Sequence, residues 1–189
     1  MVNLEKKYAQ LDPVWDRLRN EAEDAVIAEP GIGGFIHTNI LQHSSFENAL
    51  AHRVASKLAS AEISEQNLRD ICSKAISNDP QVANAARADV MAVVDRDPAC
   101  NRYMQPLLYF KGFLAVQAYR VSNWLWNNSQ RDMAYFFQMR TSEVFGIDIH
   151  PAAKIGKGLM IDHAHSIVIG ETSVVGDNVS MLHSVTLGG

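Results

Sequence analysis

The 189-residue chain holds only two cysteines, Cys72 and Cys100, in neither a Cys-x-x-Cys nor a Cys/His ligand spacing. That excludes a disulfide framework, and two isolated thiols in so long a chain fit a reducing compartment. Basic residues form no run beyond short groups such as Glu5-Lys6-Lys7, and the net charge is −4 with a pI near 5.9. The electrostatic footprint of a phosphate-backbone binder is missing, so nucleic acid is not an expected partner. No apolar stretch approaches the roughly 20 residues that span a bilayer, and the first seven residues lack the apolar core of a signal peptide. A cytoplasmic protein without membrane contact is expected. With 47% hydrophobic and 20% charged residues, the chain can bury a core as one large or two small domains.

Helix signals fill the chain to about residue 146. Asp12-Pro13 opens a segment with Val14, Leu18, Ala22 and Ala25 or Val26 on one stripe, and Pro30-Gly31 closes it. Ser44-Ser-Phe-Glu47 reads as a capping box ahead of Leu50, Val54 and Leu58. Ser64 precedes the stripe Leu68, Ile71 or Cys72, and Ala75. Asp79-Pro80 starts an Ala-rich helix through Val94. Pro106 begins the most apolar helix, predicted from Leu107 to Trp126, and Arg131 to Phe145 reads as another.

From Ile149 a six-residue beat takes over. Steps of six land on Ile155, Ile161, Ile167, Ser173, Val179 and Val185, nearly all β-branched aliphatics. A period of six with an aliphatic at fixed phase is the signature of a parallel β-helix, whose short strands turn corners and stack branched side chains inward. The expected fold class is α+β: an N-terminal all-helical domain, residues 1–146, then a left-handed parallel β-helix of hexapeptide repeats, residues 147–189. One coil takes three hexapeptides, so this stretch supplies little more than two coils, and solenoids usually need about three units and a cap. A natural or engineered truncation is the expectation.

Trp124, Trp126, Tyr109, Phe110, Phe113 and Tyr119 fall at helical spacing in an apolar run and read as packing. Asp97, in Asp95-Arg-Asp97-Pro-Ala, reads by itself as a turn or cap ahead of a proline. The β-helix is richer in chemistry, with Asp148, His150, Asp162, His163, His165 and His183. His165 and His183 lie one coil apart and are predicted to stack on one face. Stacked histidines can bind zinc where three or four ligands converge. An imidazole paired with a carboxylate is instead a general base, since its ordinary pKa near 6.5 leaves it able to accept a proton. For any one of these histidines a solvated or structural role is the plain alternative.

The motifs Asp148-Ile-His-Pro-Ala-Ala-Lys-Ile-Gly-Lys-Gly158, Ile161-Asp-His-Ala164, Ile169-Gly-Glu-Thr172 and Ser184-Val-Thr-Leu-Gly-Gly189 resemble those of serine O-acetyltransferases. So do Asp97-Pro-Ala99, Pro106-Leu-Leu-Tyr-Phe-Lys-Gly-Phe113 and Gln117-Ala-Tyr-Arg120 in the helical part. The resemblance implies acetyl transfer from acetyl-CoA to the hydroxyl of L-serine, giving O-acetylserine for cysteine biosynthesis. It implies His163 as the catalytic base, Asp148 as the carboxylate that orients it, and Asp97 and Asp162 as substrate-holding residues. Gly189 is implied beside the thioester. Acetyl-CoA is a co-substrate, no cofactor is held tightly, and no metal or nucleophilic cysteine is needed. Cysteine as feedback inhibitor, and a trimer or a hexamer built as a dimer of trimers with helical domains joining the trimers, belong to the same implication. The next pathway enzyme would dock through a C-terminal tail that this sequence does not contain. This chain has His165-Ser166 where the family often has Thr-Gly. It also ends before the family's Arg-His pair and most of the coenzyme A groove, so little or no transfer is expected from these residues alone. Three other readings stand beside this one: a hexapeptide acetyltransferase for a sugar or drug amine, a zinc β-helix hydratase, and a non-enzymatic assembly module.

Overall fold

A computed structural model describes residues 12–188. Helix α1 spans Pro13–Ala28; Asp12 Oδ1 accepts the N–H of Trp15 at 3.1 Å, and Pro13 takes the first position, where an N–H has no partner inside the helix. A 3₁₀ turn at Pro30–Ile32, the single turn α2 (Gly33–Ile36) and a π-helical turn at His37–Leu41 lead to α3 (Phe46–Leu58). Then follow α4 (Glu65–Asn78), α5 (Pro80–Arg96), α6 (Met104–Tyr109), α7 (Lys111–Asn127) and α8 (Arg131–Phe145). Ser64 and Asp79 cap α4 and α5 through their side-chain oxygens, as the sequence signals require.

Two helix expectations need correction. The cap of α3 is Ser45, whose Oγ accepts the Asn48 N–H at 3.3 Å, and not Ser44. Glu47 does not reach back to close a capping box. Its carboxylate takes Arg87 Nη2 at 2.6 Å, and the same guanidinium also holds Asp12, so a distant cation outcompetes the local amide. The apolar helix expected from Leu107 to Trp126 is two helices, with Phe110 extended between them at φ −98° and ψ 106°. Arg53 compensates for the break: Nε and Nη2 donate to the carbonyls of Leu107 and Leu108 at 3.2 and 2.6 Å, satisfying the exposed end of α6.

Gly146, left-handed at φ 71°, ends α8 and hands the chain to β1 (Ile147–Ile149). Six further strands follow: β2 (Lys154–Ile155), β3 (Met160–Ile161), β4 (Ile167–Ile169), β5 (Val174–Val175), β6 (Ser180–Met181) and β7 (Thr186–Leu187). All pairings are parallel and form three faces, β1-β4-β7, β2-β5 and β3-β6. This is a helical layer followed by a parallel β-helix.

The six-residue beat is interrupted once. Ile149 stacks under Ile169, Ile155 under Val175, Ile161 under Met181, and Ile169 under Leu187. The inward phase therefore runs 149, 155, 161 and then 169, 175, 181, 187, with a step of eight at the corner between β3 and β4. After the slip the six-residue beat continues in a second inward column two residues before the first, the column of Ile147 and Ile167: Ile167 and Ser173 are buried there, and Val179 and Val185 pack against the core. Ser173 is buried, but its Oγ donates to the carbonyls of Leu187 and Gly188 instead of filling an aliphatic slot. The two surplus residues lie in Asp162-His163-Ala164-His165-Ser166, where His163, Ala164 and Ser166 all take positive φ.

Buried polar contacts lock the two layers together. Asp89 of α5, 1% exposed, accepts Gln117 Nε2 at 2.9 Å, Arg120 Nη2 at 2.6 Å and the Leu159 N–H at 2.8 Å. Arg120 Nη2 also donates to Gly156 O, and Asn123 Nδ2 to Pro151 O. Tyr119 OH donates to Ala153 O, and burial pushes that phenol up to about 12. At Gly112 a Cβ would collide with Ile161 O and crowd Ala164 Cβ, so only glycine lets α7 lie directly on the β3 corner.

Candidate functional site

At that corner a cavity of about 640 Å³ opens between the helices and the first coil. Its walls include Asp97 and Pro98 from the end of α5, Tyr109 to Gly112 from the α6–α7 break, and Ile161 to Ala164 from the widened corner. Asp97 ends α5, its own N–H donating to Val93 O, while its Oδ1 accepts the Ala99 N–H at 2.8 Å. The turn-capping geometry read from Asp-Pro is thus present, and the same residue lines the cavity.

The corner places Asp162 and His163 side by side. Asp162 Oδ1 accepts the His163 N–H at 2.7 Å, and Oδ2 lies 3.4 Å from His163 Nε2. The Ala164 N–H turns back to Asp162 O at 2.6 Å. The His163 side chain keeps 71% of its surface exposed and packs edge-on against His183 at 6.2 Å between centroids. The ring against His183 is therefore that of His163 and not that of His165, which sits beside Gly146. His165 meets the next coil through its backbone, accepting the Ser184 N–H at 2.8 Å. The surplus residues displace the side chains from the simple vertical stack. His150 is structural, its Nδ1 accepting the Ala152 N–H and its ring wedged between Trp126 and Tyr135.

The structure brings Asp97, Asp162 and His163 to one cavity and puts Asp148 elsewhere. Asp148 points outward from β1, accepts Gln138 Nε2 at 2.6 Å, and lines a second depression with Tyr135 and Met139. No hydrogen bond or ion pair joins it to His163 within the chain. Gly189 lies outside the described residues. Among the described residues no three of His, Cys, Asp and Glu converge as a metal site requires. Both cysteines are buried, and burial pushes the Cys72 thiol up to about 12 and the Cys100 thiol upward, which removes them as nucleophiles at neutral pH.

Sequence reasoning missed three cavity residues. Tyr109 is 46% exposed and belongs to the cavity and not to the core, because the break at Phe110 rotates it out of the apolar stripe. Phe110 and Lys111 line the same space. The only sequence signal for them was their place in Pro106 to Phe113, which carries the family resemblance.

A family model described as "Serine acetyltransferase, N-terminal" matches residues 14–118. The serine acetyltransferase of Salmonella typhimurium is 46% identical over 180 residues, covering 95% of this chain. The chain spans 66% of that relative's length. A crystal structure of serine acetyltransferase from Brucella abortus in complex with coenzyme A superposes with a TM-score of 0.92 at 45% identity, covering 95% of this chain and 72% of that one. Soybean serine acetyltransferase complexed with serine gives 0.89 at 45% identity, covering 92% and 72%.

Proposed function

This chain belongs to the serine acetyltransferase family, its β-helix is the left-handed one of that family, and we propose that it transfers the acetyl group of acetyl-CoA to the hydroxyl of L-serine. The observation that carries the reading is the convergence of Asp97, Asp162 and His163 on one cavity, in a fold whose relatives were solved with coenzyme A and with serine. A free amino acid presents an ammonium group, and the carboxylates of Asp97 and Asp162 hold it by charge-assisted hydrogen bonds. The serine hydroxyl is thereby set against the imidazole of His163. The ring accepts the hydroxyl proton as the oxygen attacks the thioester carbonyl. When the tetrahedral adduct collapses, the carbon–sulfur bond breaks and the imidazolium returns the proton to the departing thiolate. The products are O-acetylserine and the free thiol of coenzyme A, with no covalent enzyme intermediate.

Asp148 serves this reading from outside its own chain's cavity. In a homo-oligomer, a trimer or a dimer of trimers, it orients the His163 ring of a neighbouring copy. Cysteine, which shares serine's ammonium and carboxylate, competes for the same cavity. The domain division follows this use: residues 1–146 assemble the oligomer and supply Asp97, and residues 147–189 supply the base. The test is a thiol-release assay with acetyl-CoA, L-serine and a panel of sugar and amine acceptors. Whatever its absolute level, turnover is expected to be higher with L-serine than with every other acceptor. Preference for a sugar or an amine overturns the reading.

A further inference from the structure

Away from the candidate site, a cavity of about 600 Å³ lies where the start of α5, the second half of α7 and the β2 corner meet. It shares no lining residue with the cavity around His163. Its wall carries Arg120, which is 8% exposed. Nε and Nη2 of that guanidinium are committed to Asp89 and Gly156 O. Nη1 carries no hydrogen bond among the described residues and keeps access to solvent, so it is free to meet a solute. The exposed Lys157 ammonium lines the same cavity and is likewise unpaired among the described residues. Two carboxylates oppose them. Asp79 Oδ1 accepts the Gln81 N–H and Asp177 Oδ1 the Lys157 N–H, which leaves Oδ2 of each without a hydrogen-bond donor among the described residues. Trp124 supplies an apolar face.

We propose that this cavity is a second small-molecule site, taking a compact free anion of the phosphate or carboxylate class that also carries hydroxyl groups. Arg120 Nη1 and Lys157 grip the anionic end. The remaining oxygens of Asp79 and Asp177 accept the hydroxyls and disfavour a bare anion, and the indole covers the carbon skeleton. Occupancy is wired toward the candidate base: Arg120 is bonded to Asp89, Asp89 accepts the Leu159 N–H, and Leu159 stands three residues before Asp162. That regulatory consequence rests on the function proposed above, whereas binding does not.

The experiment is a titration of the protein with inorganic phosphate and with glycerol 3-phosphate at constant ionic strength, read by tryptophan fluorescence with W124F to assign the signal. Saturable binding is expected for both, about threefold tighter for glycerol 3-phosphate because its hydroxyls meet the carboxylates. Lys157→Gln, an exposed change that leaves the fold intact, is expected to weaken both by about tenfold. Arg120→Lys is expected to do the same where its melting curve shows it folded. Absence of saturation in the unmodified protein, or unchanged affinity in Lys157→Gln, overturns the proposal. Binding that persists in a protein without acetyl transfer faults the catalytic reading alone.

Discussion

Asp97 closes a helix and His163 stands on a coil corner 66 positions later in the sequence, yet both face one cavity. Neither layer contains the site by itself. Its geometry is therefore set by the contacts between layers.

His163→Gln removes the base without removing packing, because the side chain is mostly exposed. Turnover with L-serine is expected to fall by about 10²- to 10⁴-fold, with the melting temperature unchanged. A steady-state assay beside a thermal melt checks both halves.

Asp97→Asn keeps an oxygen for the Ala99 N–H and removes a charge from the cavity. The expected loss is about 10- to 100-fold in kcat/KM for serine, the worth of a charge-assisted bond, with little change in the KM for acetyl-CoA. Equal loss for both substrates argues for a purely structural Asp97.

Gly112→Ala forces a methyl group against Ile161 O and Ala164. The contact partner is backbone, so α7 must move off the corner at a cost of about 1 to 3 kcal/mol. Activity is expected to fall together with the melting temperature, since Asp162 and His163 lie between the two residues that the new methyl group strikes, Ile161 and Ala164.

Asp89→Asn strips the charge partner from Arg120 while both side chains stay buried. Breaking such a pair costs about 3 to 5 kcal/mol. Chemical denaturation with a two-state fit reads it.

His43 and His52 give the fold a pH dependence. Both are buried, their rings lie 4.9 Å apart, and both pKa values lie below the ordinary 6.5, chiefly through burial. Neighbouring Arg69 pushes both down, Arg53 and His52–His43 proximity add to this, and Glu65, 3.1 Å from His52 Nδ1, pulls His52 upward. A histidine whose folded pKa is depressed adds stability above its unfolded pKa and loses it as pH falls through the folded value. The melting temperature is expected to be flat above about pH 7 and to decline below about 6.5, and His43→Gln to flatten that decline.

The caps at Asp12, Ser64 and Asp79 and the bounds of α8 were legible because each depends on residues within one turn of itself. The interruption at Phe110 was not, since the carbonyls it frees are taken by Arg53, more than fifty positions upstream. The parallel β-helix was legible from its period, but its two-residue slip was hidden, because Val179 and Val185, in the neighbouring inward column, are aliphatic and packed against the core as well. For the site, Asp97, Asp162 and His163 were named from motifs, yet their convergence is a product of packing at Gly112. Tyr109 and Lys111 escaped because an apolar helix pattern gives no sign of a residue turned toward an opening.

The eight-residue step between Ile161 and Ile169 has a further effect. Strand ladders on either side fix where the chain must leave one rung and rejoin the next, so the extra length is obliged to bow outward. The reactive ring thus rides on slack that the scaffold does not consume, while the rungs above and below keep their register.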